Sequence, residues 1–353
     1  MKERIVIVTL YDSINCGTFL QAYSLGEYLK EKGFDPVYLK LKNDNSNINK
    51  NGKSYKKLKI SEIIVKAIRK ILLKLKFSNI NSYFSTVNLE EVNEDKNIKY
   101  VIVGSDEIWN VNNNSFIHYN EYFGYNFENK KIIAYAPSCN DITKNDILKF
   151  NPNINFKNFS YLSARDKKTY DLLNEFGEKN VQMVLDPTFL TEKYQNKLKE
   201  IKLKDYIIVY GHNFTDEQVE IIKKISKNKN KKIVSITRYY SWCDKNIIAD
   251  PFEFLSYIKN ADYIITSTFH GSVFSILFEK NFIAFVEKVN KVYDLLNKFK
   301  LNNRIFDNFE KGIELLNEAI DYAKIIPIKA NYTNESKKYL LKVLDMENPN
   351  EQC

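Results

Sequence analysis

The chain has 353 residues, 44% of them hydrophobic and 14% aromatic, with a formal net charge of +9. This length suits about two domains, each burying its own core, and the composition excludes a disordered or fibrous chain. No stretch approaches the ~20 apolar residues that span a bilayer, and the four cysteines form neither a Cys-x-x-Cys pair nor a Cys/His cluster, which argues against a zinc site or disulfide framework.

The opening run Ile5 to Leu10 is too short for a secretory leader, so a cytoplasmic location is expected. The positive charge comes mainly from Lys, which with Asn is used throughout. A compositional bias of the source explains that as readily as attraction to anions such as phosphorylated substrates or lipid head groups. No helix-turn-helix, zinc-finger or RNA-recognition signature is present, and no nucleic-acid partner is expected.

In chain order, Ile5 to Leu10 reads as a buried parallel strand. The loop Tyr11 to Thr18 leads into a helix with Phe19, Leu20, Tyr23 and Leu29 inside, ending near Gly33. Pro36 to Leu41 is the next strand, completing a βαβ unit. Its first loop holds one Gly, so the dinucleotide fingerprint is absent, against a nicotinamide or flavin enzyme. Residues 43–54 read as a polar, Asn-rich loop. Tyr55 to Phe77 reads as a basic amphipathic helix carrying Leu58, Ile63, Ile64, Ile68, Ile71, Leu72 and Leu75, with Lys66, Arg69 and Lys70 between. It would lie on its own domain or against an anionic membrane surface.

Tyr100 to Val103 is a strand opening into Gly104-Ser105-Asp106-Glu107-Ile108-Trp109-Asn110, where Trp109 either stacks on a sugar or plugs the core. Strands over Ile132 to Ala136 and Phe159 to Ser163 follow, then Ala164-Arg165-Asp166 before a helix from Lys167. Arg165 at a strand end suits a bidentate grip on carboxylate or phosphate, unless it pairs with Asp166 or another local acid. Val181 to Leu185 leads to Asp186-Pro187-Thr188-Phe189-Leu190, and a polar, Lys-rich joint at 191–204 follows. The alternation then restarts, with strands over Tyr206 to Tyr210, Lys232 to Thr237, Tyr263 to Thr266 and Phe282 to Val286. Arg304 sits in a turn, and helices over Phe309 to Ala323 and Asn334 to Leu344 finish the chain. The expected architecture is α/β: two doubly wound Rossmann-like domains facing across a cleft, at 1–195 and 196–330, with a C-terminal helix and tail at 331–353.

The most informative stretch is Thr266-Ser267-Thr268-Phe269-His270-Gly271-Ser272, where a strand ends and a helix begins. That geometry puts a His and several backbone N–H groups at the sheet edge where open α/β sheets bind ligands. His is the side chain best suited to move a proton near neutral pH, and His118 and His212 lack this setting.

Five segments, Asn15-Cys16-Gly17-Thr18-Phe19-Leu20-Gln21-Ala22-Tyr23, Gly104 to Asn110, Ser163-Ala164-Arg165-Asp166, Asp186 to Leu190 and Thr268 to Ser275, together resemble the polysaccharide pyruvyl transferase family. They occur in the family's order over roughly residues 5 to 305. Glu107 stands where Gln is usual, Asp166 where Glu is common, and Cys16 where an aromatic is frequent. The resemblance implies a fold similar to the two-domain B-type glycosyltransferases. It also implies transfer of the enolpyruvyl carbons of phosphoenolpyruvate, as co-substrate, onto a sugar or lipid-linked glycan of a polysaccharide as a cyclic ketal, with phosphate released. No cofactor or metal is required. In that scheme His270 is the acid/base, Arg165 and Arg304 with Gly271 and Ser272 at the helix start hold the donor, and Asn15, Gln21 and Asp106 face the acceptor. A protein working on lipid-linked glycans would sit in the cytoplasm, peripherally at the inner membrane face. The rival readings are a nucleotide-sugar glycosyltransferase of the same architecture, and a non-enzymatic basic binder of membrane or nucleic acid.

Overall fold

The computed structural model describes residues 2–41, 60–78, 80–212, 214–286, 290–306 and 309–346. The loop expected over 43–54, residues 55–59 of the expected helix and Cys353 lie outside the described residues.

The N-terminal sheet contains β1 (Arg4–Val8), β2 (Asp35–Leu39), β3 (Thr86–Val87), β4 (Tyr100–Val103), β5 (Lys131–Ala134), β6 (Phe159–Ala164) and β7 (Val181–Met183), in the order β3-β2-β1-β4-β5-β6-β7. The second contains β8 (Tyr206–Tyr210), β9 (Lys232–Ile236), β10 (Lys245–Ile247), β11 (Tyr263–Thr266) and β12 (Asn281–Ala284), in the order β10-β9-β8-β11-β12. Every pairing is parallel, with Ile5 beside Tyr100 and Tyr263 beside Ile207. Continuous β-branched runs such as Ile5-Val6-Ile7-Val8 form these strands because helices bury both faces.

Helices α1 (Cys16–Glu31), α2 (Ile60–Ser78), α3 (Leu89–Glu94), α4 (Lys144–Phe150) and α5 (Lys167–Glu175) belong to the first half. Helices α6 (Asp216–Lys229), α7 (Pro251–Asn260), α8 (Phe269–Leu277), α9 (Lys291–Lys298), α10 (Phe309–Asn317) and α11 (Tyr322–Val343) follow. Their starts are chemically marked. Asn15 caps α1, Asp166 caps α5, and Asp250 caps α7 in a capping box with Pro251 at the first helical position.

Strand order reverses between β1 and β4 in one sheet and between β8 and β11 in the other. In open sheets such switch points form the ligand crevice, and here the two are brought face to face. The halves are joined by α1 against α7, where Phe252 packs edge-on to Phe19 at 5.7 Å and Tyr23 at 5.2 Å between ring centroids. Phe189 also stacks on Phe299 at 5.5 Å.

One expectation is corrected and one open alternative is decided. The last helix starts at Tyr322, twelve residues before Asn334, and carries Pro327 in its second turn. A proline there reads as a break in sequence, but packing holds the helix across it. It returns to the first domain: the Tyr339 hydroxyl donates to Ala134 O at 3.0 Å and Ser336 Oγ accepts from Leu185 N–H at 2.8 Å. Trp109 is a core plug, buried against Phe156, Phe123 and Phe159, with its indole N–H donating to Tyr122 O at 2.6 Å.

Ser336→Ala leaves the Leu185 N–H buried without an acceptor. It is expected to cost about 1–3 kcal/mol in denaturant unfolding, and an unchanged midpoint would show that α11 does not tie the domains together this way.

Candidate active site

The N-terminus of α8 lies at the C-terminal edge of the second sheet. Thr268 caps it by accepting from Gly271 N–H at 3.0 Å, while Thr266 Oγ1 accepts from Thr268 N–H and donates to Tyr210 O. A Cβ on Gly271 would strike Thr266 Oγ1, so only glycine lets the helix sit this close to the strand end. The Phe269 and His270 N–H groups are left with no acceptor among the described residues, and they point along the positive end of the helix dipole.

His270 projects from this turn into the first domain. Its ring lies against Gly17, where any side chain would collide with Nδ1. Its Nε2 is buried and stands 3.6 Å from Asp186 Oδ2, an ion-pair distance beyond hydrogen-bond reach, in a side chain 11% exposed. Asp186 belongs to the loop after β7 and is wholly buried. Its Oδ2 also accepts from Arg165 Nη1 at 2.8 Å, and its Oδ1 accepts from the Thr188 N–H and hydroxyl. Burial alone would raise the Asp186 carboxyl; His270, Arg165 and the Thr188 N–H outweigh it and hold it well below the usual carboxylate range. The carboxylate thus stays ionised.

Arg165 is 1% exposed, with Nη1 on Asp186, Nη2 3.7 Å from Asp106 Oδ1, and its guanidinium 4.4 Å from the Phe269 ring centroid. Its partner is not Asp166, which caps α5 through the Thr169 N–H. The expected free bidentate fork is therefore corrected: Arg165 is a positioning residue beneath the site, because two carboxylates already hold it.

Asp106 lines the opposing switch point, accepting from the Thr18 hydroxyl at 2.6 Å and from Glu107 N–H at 2.9 Å. Asn15 is exposed at the cleft; its Oδ1 caps α1 and its amide nitrogen has no partner among the described residues. Gln21 does not reach the cleft. It is fully buried, its amide donating to Thr9, Leu10 and Thr18 and its Oε1 accepting from Ser105 N–H, so it props the loop. Ser272 is likewise buried, with N–H and hydroxyl both turned back to Thr268 O. Gly271 N–H is taken by the cap, so neither residue offers the donor-side group expected of it. Arg304 is the clearest correction. Its Nη1 donates to Asn281 Oδ1 at 3.2 Å, to Glu318 O at 3.1 Å and to Leu315 O, at the start of β12 and the end of α10, the edge of the sheet away from α8's N-terminus. It is a buried structural arginine.

Two other cations lie at this edge of the second domain. Lys291, at the start of α9, pairs with Glu107 from the facing domain. Burial lowers its ammonium to about 8, against the pull of Asp106. Arg238 follows β9 at the same sheet edge, exposed, with Nη2 3.4 Å from His212 Nε2 and no acid paired to it among the described residues. Burial and this cation both pull His212 below its ordinary value. Arg238 was recoverable from sequence by the strand-end rule that picked out Arg165, as was Asp186. Lys291 carried no local signal.

Because the folded Asp186 lies below its unfolded value, its stabilisation is present above about pH 4 and fades as pH falls towards the folded value. Wild-type stability to urea should fall more steeply than that of Asp186→Asn as pH is lowered below about 5. At pH 7 the variant should be less stable by about 3 kcal/mol, since Arg165 keeps a buried charge without its closest partner. Parallel pH profiles would remove the pairing from the account.

Comparison with known proteins agrees with this architecture. A putative UDP-N-acetylglucosamine 2-epimerase from Listeria monocytogenes superposes with a TM-score of 0.59 at 10% identity, covering 99% of this chain and 98% of that one. The UDP-GlcNAc 2-epimerase from Neisseria meningitidis, bound to UDP-GlcNAc, gives 0.54 at 11% identity, covering 98% and 100%. A glycosyltransferase from Rickettsia africae gives 0.50 at 14% identity, covering 98% of each chain. At such identities the likeness is one of fold: two parallel-sheet α/β domains of the B-type glycosyltransferase kind. No curated protein matches the sequence significantly. The family profile described as polysaccharide pyruvyl transferase matches residues 15–288, from the cap of α1 past the His270 turn, and the chain belongs to that family of transferases.

Proposed function

We propose that the protein transfers the enolpyruvyl group of phosphoenolpyruvate onto two hydroxyls of a sugar, forming a pyruvate ketal and releasing phosphate. One observation carries the proposal: His270 of the second domain meets the ionised Asp186 of the first beside two open helix N–H groups. That is a poised proton carrier next to an anion-binding site.

Protonation of the donor's methylene carbon by His270 turns it into a methyl group and leaves an oxocarbenium centre at C2. One sugar hydroxyl attacks C2, the bond from C2 to the phosphate oxygen breaks, and the second hydroxyl closes the ketal. Of the two hydroxyl protons, one replaces that given by His270 and the other leaves with phosphate. The donor carries a carboxylate and a phosphate. The Phe269 and His270 N–H groups and Arg238 are suited to hold them, in place of Arg304. Asn15 and Asp106, across the cleft, would meet the acceptor hydroxyls. No cofactor or metal enters this scheme.

The test is phosphate release from phosphoenolpyruvate with a panel of sugar and lipid-linked glycan acceptors. Acceptor-dependent release with a ketal on the product is expected. Thermal stabilisation by a nucleoside diphosphate, with none by phosphoenolpyruvate and no phosphate release, would replace the proposal with nucleotide-sugar transfer.

His270→Ala should lower turnover about 10²–10⁴-fold while the melting temperature holds within a few degrees and phosphoenolpyruvate still protects against melting. Retained turnover would rule out the acid/base role. Arg238→Ala should raise the KM for phosphoenolpyruvate by about tenfold or more, the worth of one charge-assisted contact, with a smaller change in acceptor KM. An unchanged donor KM would remove Arg238 from the donor site.

A further inference from the structure

Of the two placements the sequence left open for α2, packing on the protein accounts for only part of its apolar surface. Leu73 and Phe77 turn inward, and the helix is fixed to the second domain by polar contacts. Arg69 donates to Asn246 O at 2.9 Å and Ile247 O at 3.1 Å, and Lys76 pairs with Glu253 at 2.6 Å. On the opposite side Ile64, Ile68, Ile71, Leu72 and Leu75 recur at helical spacing, so they share one face, and each is 42–59% exposed. Six of the nine exposed large hydrophobic residues among those described lie on this helix, so they form a patch rather than a scatter.

We propose that α2 is an interfacial helix that docks the protein on an anionic phospholipid bilayer. Charge complementarity selects this occupant. Arg69 and Lys76 are taken by the second domain, and Lys70 and Lys74 are exposed along one border of the stripe, with no acid partner among the described residues. An aliphatic ridge bordered by cations matches an acyl boundary beneath anionic head groups. Two copies meeting ridge to ridge would set lysine borders of the same sign together on a chain already at +9. The interrupting charges exclude a span, and no helix among the described residues is long and apolar enough to cross a membrane.

The inward side of α2, opposite the stripe, meets the second domain near its ligand edge: Arg69 sits over the Tyr239 ring at 5.8 Å, next in sequence to Arg238. The docking itself does not depend on the proposed reaction, and its test uses no substrate.

The experiment is co-sedimentation of the full chain with vesicles of phosphatidylcholine alone or mixed with phosphatidylglycerol. Binding to the anionic vesicles, weakened by salt, is expected. Ile68→Ser with Leu75→Ser should weaken it about tenfold or more, and Lys70→Glu with Lys74→Glu by at least about fivefold per residue, without change in melting temperature. These side chains are exposed, so the fold should survive. Equal sedimentation of all variants, or none of the wild type, would overturn the proposal. So would a wild-type dimer that Ile68→Ser with Leu75→Ser turns into a monomer, which would give the stripe to a second copy.

Discussion

A buried carboxylate is costly unless its charge is answered, and Asp186 is answered from both domains at once. Arg165 reaches it from the end of β6, and His270 approaches from the start of α8. The arginine keeps the carboxylate ionised within its own domain, and the histidine completes the arrangement only when the second domain is seated. Breaking the Arg165–Asp186 pair would be costly because it leaves a buried charge uncompensated. His270 meets this pair across a contact that the packing of Phe252 on Phe19 and Tyr23 also holds.

Around this centre the work is divided between the halves. The first domain supplies acids and the frame that aims them: Asp106 and Asp186 at strand ends, Gln21 propping the loop below, Arg165 between the carboxylates. The second supplies proton-donating and cationic groups: His270, the open N–H groups of α8, Arg238 and Lys291. Opposite signs therefore face each other across the cleft. Glu107 fits this pattern because Lys291 from the other domain neutralises it.

The same two-sided logic governs the periphery. Helix α2 belongs to the first domain by sequence but is fastened to the second by Arg69 and Lys76, and α11 belongs to the second yet returns to the first through Ser336 and Tyr339. These crossings couple the two sheets more closely than the short polar joint between them suggests. They also leave α2 with its aliphatic side outward.

The sequence alone determined most of the longer strands and helix starts. Buried parallel strands advertise themselves as short β-branched runs, and helix starts as Asn15, Asp166, Asp250 and Thr268, because caps and strand burial depend on neighbours within a few positions. Strand ends therefore located His270, Arg165 and Asp106, and the segments around them carried the family resemblance. What sequence could not supply was direction and partnership. Arg304 and Arg165 look alike in the chain, yet one locks α10 to the start of β12 and the other is held between two acids. Gln21 and Ser272 lie in the matching segments but turn inward, where backbone groups claim their hydrogen bonds. The outward face of α2 is equally invisible, since an amphipathic pattern states that a helix has an apolar side and not which way it points. Those outcomes rest on contacts between residues far apart in the chain, and only the tertiary structure decides them.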